Sequence, residues 1–190
     1  MQSLDVLFNE LMERMKQGRN LENASFDPVY YLIFDPSKIL EVKRSIKAWT
    51  VRLKNEGWDV FCFSVAEQIA SILSSAPQRK IWLAADRKSP QNWEKTNQSL
   101  ANLLNQGALL SRFKDIFENL RDHSNAILFV TDLEALHPYM RIGAIENQLY
   151  GHFYVPTVFF YPGVRTGKTR LRFLGFYPED GNYRSVHVGG

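Results

Sequence analysis

The chain reads Val155-Pro-Thr-Val-Phe-Phe-Tyr-Pro-Gly-Val-Arg-Thr-Gly-Lys-Thr169, then Arg170-Leu-Arg-Phe-Leu-Gly-Phe-Tyr-Pro-Glu-Asp-Gly181. The segment Gly163-Val-Arg-Thr-Gly-Lys-Thr169 has the ending of a nucleotide-binding phosphate loop. Such a loop needs four residues between its first glycine and the Gly-Lys pair, so that consecutive N–H groups wrap the phosphates. Three stand here, and the position where the spacing wants glycine is Pro162, which has no N–H. A phosphate loop must also open a helix whose N-terminus faces the anion. Here Leu171, Phe173 and Phe176 fall among Arg170, Arg172 and Gly175, a mostly alternating pattern that predicts a strand. The stretch is therefore read as a strand over 155–161 followed by a basic β-hairpin, with a turn at Pro178-Glu-Asp-Gly181.

Working outward, Val29-Tyr-Tyr-Leu-Ile-Phe34, residues 58–63 and Ala126-Ile-Leu-Phe-Val130 are apolar runs of strand length. Helical spacing fills the gaps between them. Ser37 can cap a helix to about Glu56, with Ile39, Val42, Ile46, Trp49 and Leu53 inward and Gly57 past its end. Val65, Ile69, Ile72 and Leu73 suit the next helix. Two more patterns cover 96–105 and 108–122, the second through Leu109, Phe113, Ile116 and Leu120. A further helix is expected from Pro138 to Leu149, with Ile142, Ile145 and Leu149 inward. Residues 81–85 stay open between strand and helix. At the start, Leu4, Leu7, Phe8, Leu11, Met12 and Met15 share one face of an amphipathic helix over 1–18, with Ser3 as cap and Gly18 as stop. That face packs on its own domain or docks on a partner. A polar connector over 19–27 follows.

Strands separated by helices imply parallel crossovers and a sheet covered by helices. The expected architecture is a single α/β domain over 1–190, with a mainly parallel sheet and a C-terminal strand and basic β-hairpin over 155–190. The strand order resembles a degenerate P-loop or AAA-like nucleotide-binding fold that lacks its phosphate loop. The strand 29–34 stands where the phosphate-loop strand would be, but its turn is Asp35-Pro-Ser-Lys38, without glycine.

Composition excludes several classes. With 45% hydrophobic and 23% charged residues among 190, the chain has the balance of a globular domain. The lone cysteine, Cys62, rules out an internal disulfide or cysteine zinc cluster and fits a reducing compartment. It is expected to be buried in Val60-Phe-Cys-Phe63. No apolar run approaches a membrane span and no signal pattern opens the chain, so a cytoplasmic location is expected. Net charge is +3. From Gly163 onward there are five cations (Arg165, Lys168, Arg170, Arg172, Arg184) against Glu179 and Asp180, an excess of three, which leaves residues 1–162 balanced. Those five cations are the candidate interaction surface, for phosphates or an acidic protein. The competing reading is a solvated face that discourages edge pairing.

Chemistry is otherwise thin. The strand 126–130 ends in Thr131-Asp132-Leu-Glu134, and an aspartate at a strand tip can hold Mg²⁺ on nucleotide phosphates; it is also a common turn former. The four histidines show no metal spacing, and no G-x-S-x-G elbow exists. His137 and Arg141, one helical turn apart, could line a site or satisfy local hydrogen bonds. No catalytic residue, metal or cofactor is expected.

The blocks Leu136-His-Pro-Tyr-Met-Arg141, Val155-Pro-Thr-Val-Phe-Phe-Tyr-Pro-Gly163, Leu171-Arg-Phe-Leu174 and Asp180-Gly-Asn-Tyr-Arg184 resemble the small B protein (BrxB) family of bacterial BREX phage-defence systems, over nearly the full length. The resemblance implies a non-enzymatic component needed for phage restriction. Its expected partners are the BREX AAA+ ATPase, the phosphatase-like PglZ protein and the DNA methyltransferase, with DNA contact also open. It carries over no catalytic residues. The alternative is a nucleotide-binding or nucleic-acid-binding α/β protein that uses Asp132 and the Gly167-Lys168-Thr169 turn.

Overall fold

The computed structural model describes residues 2–20, 27–167, 170–181 and 185–190. The elements are α1 (Leu4–Asn20), β1 (Val29–Phe34), α2 (Ile39–Asn55), β2 (Asp59–Ser64), α3 (Val65–Ser75), α4 (Arg79–Lys88), α5 (Trp93–Leu103), α6 (Leu109–Leu120), β3 (Ala126–Thr131), α7 (Ile142–Leu149), β4 (Thr157–Thr166), β5 (Arg170–Phe173), β6 (Glu179–Asp180) and β7 (Val186–Gly189). The main sheet has the order β2-β3-β4-β1-β7, and each of these pairs is parallel. From β4 the sheet continues through the antiparallel pairs β4–β5 and β5–β6.

Every residue of β1 and β3 is buried, which is why both read as unbroken apolar runs. Strand alternation sends Tyr30, Leu32, Phe34, Phe129, Val158 and Phe160 to one face, under α1 and α2. Tyr31, Ile33, Leu128, Val130, Phe159 and Tyr161 face the other way, under α3, α6 and α7. The chain moves from β1 to the far edge over the first face and returns through β2, β3 and β4 over the second. This is the pattern right-handed crossovers require.

Helix α1 belongs to the domain core. Phe8, Leu11, Met12 and Met15 are each at most 2% exposed. Phe8 stacks on Trp49 of α2 with ring centres 4.4 Å apart, and Trp49 stacks in turn on Phe160. The Trp49 indole N–H donates to Asp5 at 3.0 Å, so the ring's polar atom is satisfied as its faces are buried.

Several expectations are corrected. Helix α1 runs on to Asn20, past Gly18; residues 21–26 of the expected connector lie outside the described residues. Asp35, not Ser37, caps the turn into α2, because its carboxylate accepts the Ser37 N–H at 2.8 Å. Residues 81–85, left open between strand and helix, are helical, within α4. Helix α7 starts at Ile142 instead of Pro138, since Arg141 is extended (φ −114°, ψ 145°). Cys62 is exposed, on β2 at the edge of the sheet. The tight turn at the end of the chain is at Gly167 (φ +81°), between β4 and β5. Glu179 and Asp180 are not turn residues: they form β6, opposite Arg172 and Leu171. The last strand, β7, does not return as a hairpin but joins β1 in parallel at the other edge.

Leu11 is fully buried, so Leu11→Ala is expected to cost roughly 2–5 kcal/mol. Urea denaturation measures it; an unchanged midpoint would contradict a core role for α1.

Candidate functional site at the carboxyl ends of the strands

In open α/β sheets, ligands bind outside the carboxyl ends of the strands, where neighbouring connections leave to opposite faces. Here that place lies between β1, which leads to α2 on one face, and β4, whose continuation β5 packs Leu171 and Phe173 on the other. A crevice of about 500 Å³ opens there. Its walls are Leu4 and Leu7 of α1, Ile33 and Phe34 of β1, Gly163 and Val164 of β4, and Gly189 of β7, with Asp35, Lys38 and Glu41 at the rim. The mostly apolar lining suits an apolar side chain or a small amphipathic molecule. Gly163 is required where it stands: a Cβ there would lie 2.5 Å from the Arg172 carbonyl oxygen.

The rim is poorly suited to a nucleotide triphosphate. Asp35 occupies the N–H of Ser37 that a phosphate would take, and Pro36 offers none. The hydrogen bonds from Ser37 hold the Asp35 carboxyl below its usual value, so the mouth is anionic. Lys38 is paired with Glu41 at 2.6 Å. Residues 163–166 are strand and Gly167 has a positive φ of 81°, while Lys168 and Thr169 lie outside the described residues.

The acidic end of β3 is closed in the same way. Asp132 takes the left-handed conformation (φ 60°) that Asp and Asn tolerate best among side-chain-bearing residues. Its carboxylate accepts from Lys43 at 2.7 Å, Ser64 at 2.6 Å and Thr131 at 2.9 Å. Burial pushes its pKa up, but these bonds outweigh burial and hold it below the usual value. Lys43 also reaches Glu134 at 2.7 Å, and its ammonium is held above the ordinary lysine value against the opposing effect of burial. One lysine of α2 thus bridges both carboxylates. Among the described residues, no group of three or more His, Cys, Asp or Glu side chains could hold a metal ion.

The candidate basic residues do not form one patch. Arg170 and Arg172 share a strand face, and both reach Glu179, at 3.6 and 3.3 Å. Arg172 is the cross-strand partner of Val164, at the crevice wall. Arg165 pairs with the buried Leu171, so it points to the opposite face, where its Nε donates to the Gly167 carbonyl. Lys168 and Arg184 lie outside the described residues.

His137 and Arg141 converge on a residue that sequence reading had not joined to them. His137 Nδ1 contacts the Tyr177 hydroxyl, and the Arg141 guanidinium sits over the Tyr177 ring. Glu146, also missed, is buried on α7 and accepts from the Tyr31 hydroxyl at 2.5 Å. Burial is the main cause that raises its pKa to about 7, with Asp180 and Asp27 adding to it. His187 on β7 is pushed down to about 4, chiefly by burial.

Comparison with known proteins adds one finding. The family model described as "BREX protein BrxB" matches residues 63–188, more than half of the chain and all four blocks that carry the resemblance. No curated protein and no solved structure matches. No helix among the described residues is long and apolar enough to cross a membrane.

Glu146 sets a pH dependence. Its folded pKa lies above the unfolded value of 4.5, so the folded chain keeps a proton that the unfolded chain loses between pH 4.5 and about 7. The stability this group contributes is lost as pH rises through that window. Glu146→Gln should therefore be near-neutral at pH 5 and more stable than wild type at pH 8, by roughly 2–3 kcal/mol at most. Chemical denaturation of both proteins at the two pH values checks this; an equal difference at both would refute it.

Proposed function

Because the chain belongs to the BREX protein BrxB family, we propose that it serves a BREX anti-phage system as a non-enzymatic adaptor. Its partners would be the system's AAA+ ATPase, PglZ-type protein and DNA methyltransferase. On this reading the domain is a P-loop-like fold whose two catalytic strand tips have been converted into internal pairings. The observation that carries it is the closure of both tips: Asp35 takes the phosphate's place at the end of β1, and Lys43 takes the cation's place at Asp132 and Glu134. A nucleotide would have to displace both. The protein then works by contact, and the cytoplasm that holds the phage DNA is where it would act.

The proposed contact surface is the outer face of the C-terminal hairpin, through Arg170 and Arg172. Glu179 leaves Arg170 and Arg172 available: their side chains stay 69% and 43% exposed, and exposed pairs of this kind contribute little and exchange readily. An acidic partner can therefore take both guanidinium groups as bidentate donors. The alternative, nucleotide binding through Asp132 and Gly167-Lys168-Thr169, is the outcome that would overturn this reading.

Two measurements test it. Calorimetric titration with ATP and Mg²⁺ is expected to give no heat of binding; micromolar affinity lost in Lys168→Ala would favour the nucleotide reading. The double variant Arg170→Glu, Arg172→Glu should fold normally, lose retention of its BREX partners in a pull-down from cells carrying the complete locus, and lose phage restriction. Full retention and full restriction would remove the hairpin from the interface.

A further inference from the structure

A second concentration of positive charge lies on another surface. Residues 79–95 carry Arg79, Lys80, Arg87, Lys88 and Lys95 against Asp86 and Glu94, an excess of three that equals the net charge of the whole chain. All five cations are exposed. None makes an ion pair with another described residue.

Helix α4 is held by one row of side chains. Trp82 is its single buried residue, and the Trp82 indole N–H donates to Ser99 of α5 at 2.9 Å. Asp86, four residues on, accepts from Thr96 of α5 at 3.0 Å. Trp82 and Asp86 therefore define the inward row. At 3.6 residues per turn, Lys80, Ala84, Arg87 and Lys88 lie on the opposite side, around the small Ala84. Of the exposed apolar residues, Ile81 sits beside Lys88, as far from Ala84 on one side as Arg87 is on the other, and Leu83 falls at the margin.

This layout decides what the face fits. A protein–protein interface places apolar residues at its centre, is depleted of lysine, and keeps charge for the rim. On the α4 face two lysines, Lys80 and Lys88, flank a small alanine, so cations outnumber the large apolar groups there. A continuous polyanion suits it: duplex DNA presents about one negative charge per 1.7 Å of its axis, so the roughly 15 Å of α4 meets several phosphates at once. We propose that the α4 face, centred on Lys80, Arg87 and Lys88, binds the phosphate backbone of duplex DNA without reading its sequence. This goes beyond the adaptor reading and uses a different surface.

The test is fluorescence anisotropy with a labelled duplex of about 25 base pairs, at about 50 mM salt and above. The full chain should bind, and the logarithm of its affinity should fall with the logarithm of salt concentration with a slope of about −2 to −3, as three phosphate contacts predict. The triple variant Lys80→Glu, Arg87→Glu, Lys88→Glu should lose at least tenfold in affinity with an unchanged circular-dichroism spectrum. The triple arginine-or-lysine exchange at the same positions (Lys80→Arg, Arg87→Lys, Lys88→Arg) should retain binding. Absence of binding by the wild type at low salt overturns the proposal, as does equal binding by the charge-reversed variant. An intact pull-down of BREX partners by the charge-reversed variant separates this result from failure of the adaptor reading. If that variant lost partner retention while the wild type bound no DNA, α4 would be a protein contact and the proposal would be wrong.

Discussion

The structure depends on one constraint: the central parallel strands must be buried on both faces. β1 and β3 show no exposed residue, so each face needs its own helical layer. On one side the layer is completed by the ring stack of Phe8, Trp49 and Phe160, which joins α1, α2 and β4. Without α1, the apolar side chains of Tyr30, Leu32 and Phe34 would lose much of their cover. The first helix is therefore part of the fold and not an appendage, and it also forms one wall of the crevice at the strand ends.

A second regularity runs through the carboxyl side of the sheet. Charged groups there are satisfied from within the chain. Asp35 caps its own turn, Lys38 holds Glu41, and Lys43 spans Asp132 and Glu134. In an enzyme the strand tips keep such groups unsatisfied until a substrate or ion arrives, because interactions already made in the ground state do not favour the transition state. Internal pairing at these tips must therefore be displaced before a phosphate or a cation can bind there.

Formal charge and available charge also part company. By sequence, the C-terminal segment holds the whole positive excess, yet its two described strand arginines on the outer face share one glutamate, and Arg165 turns to the other side. The α4–α5 segment has the same excess with no ion pair among the described residues. Counting charges along a chain cannot separate these two cases, since ion pairing depends on which side chains face each other across a strand or between helices.

Much was legible in the residues themselves. Periodicity identified the strands at 29–34 and 126–130, the inward faces of α1 and α2, and the strand character after the Gly-Lys-Thr segment, because burial by one or both faces writes its period directly into the order of apolar residues. It also excluded the phosphate loop, since spacing and the missing proline N–H are local facts. Other features required the folded chain. The parallel docking of β7 on β1, the exposure of Cys62 on an edge strand, and the helical state of 81–85 depend on neighbours distant in sequence. So do Lys43 beside Asp132, His137 beside Tyr177, and Glu146 beside Tyr31, which are 89, 40 and 115 residues apart. The sequence alone determined which residues must leave water and with what period. Only the tertiary structure decided which polar groups meet one another, because strand order and helix docking bring together charges that no local pattern links.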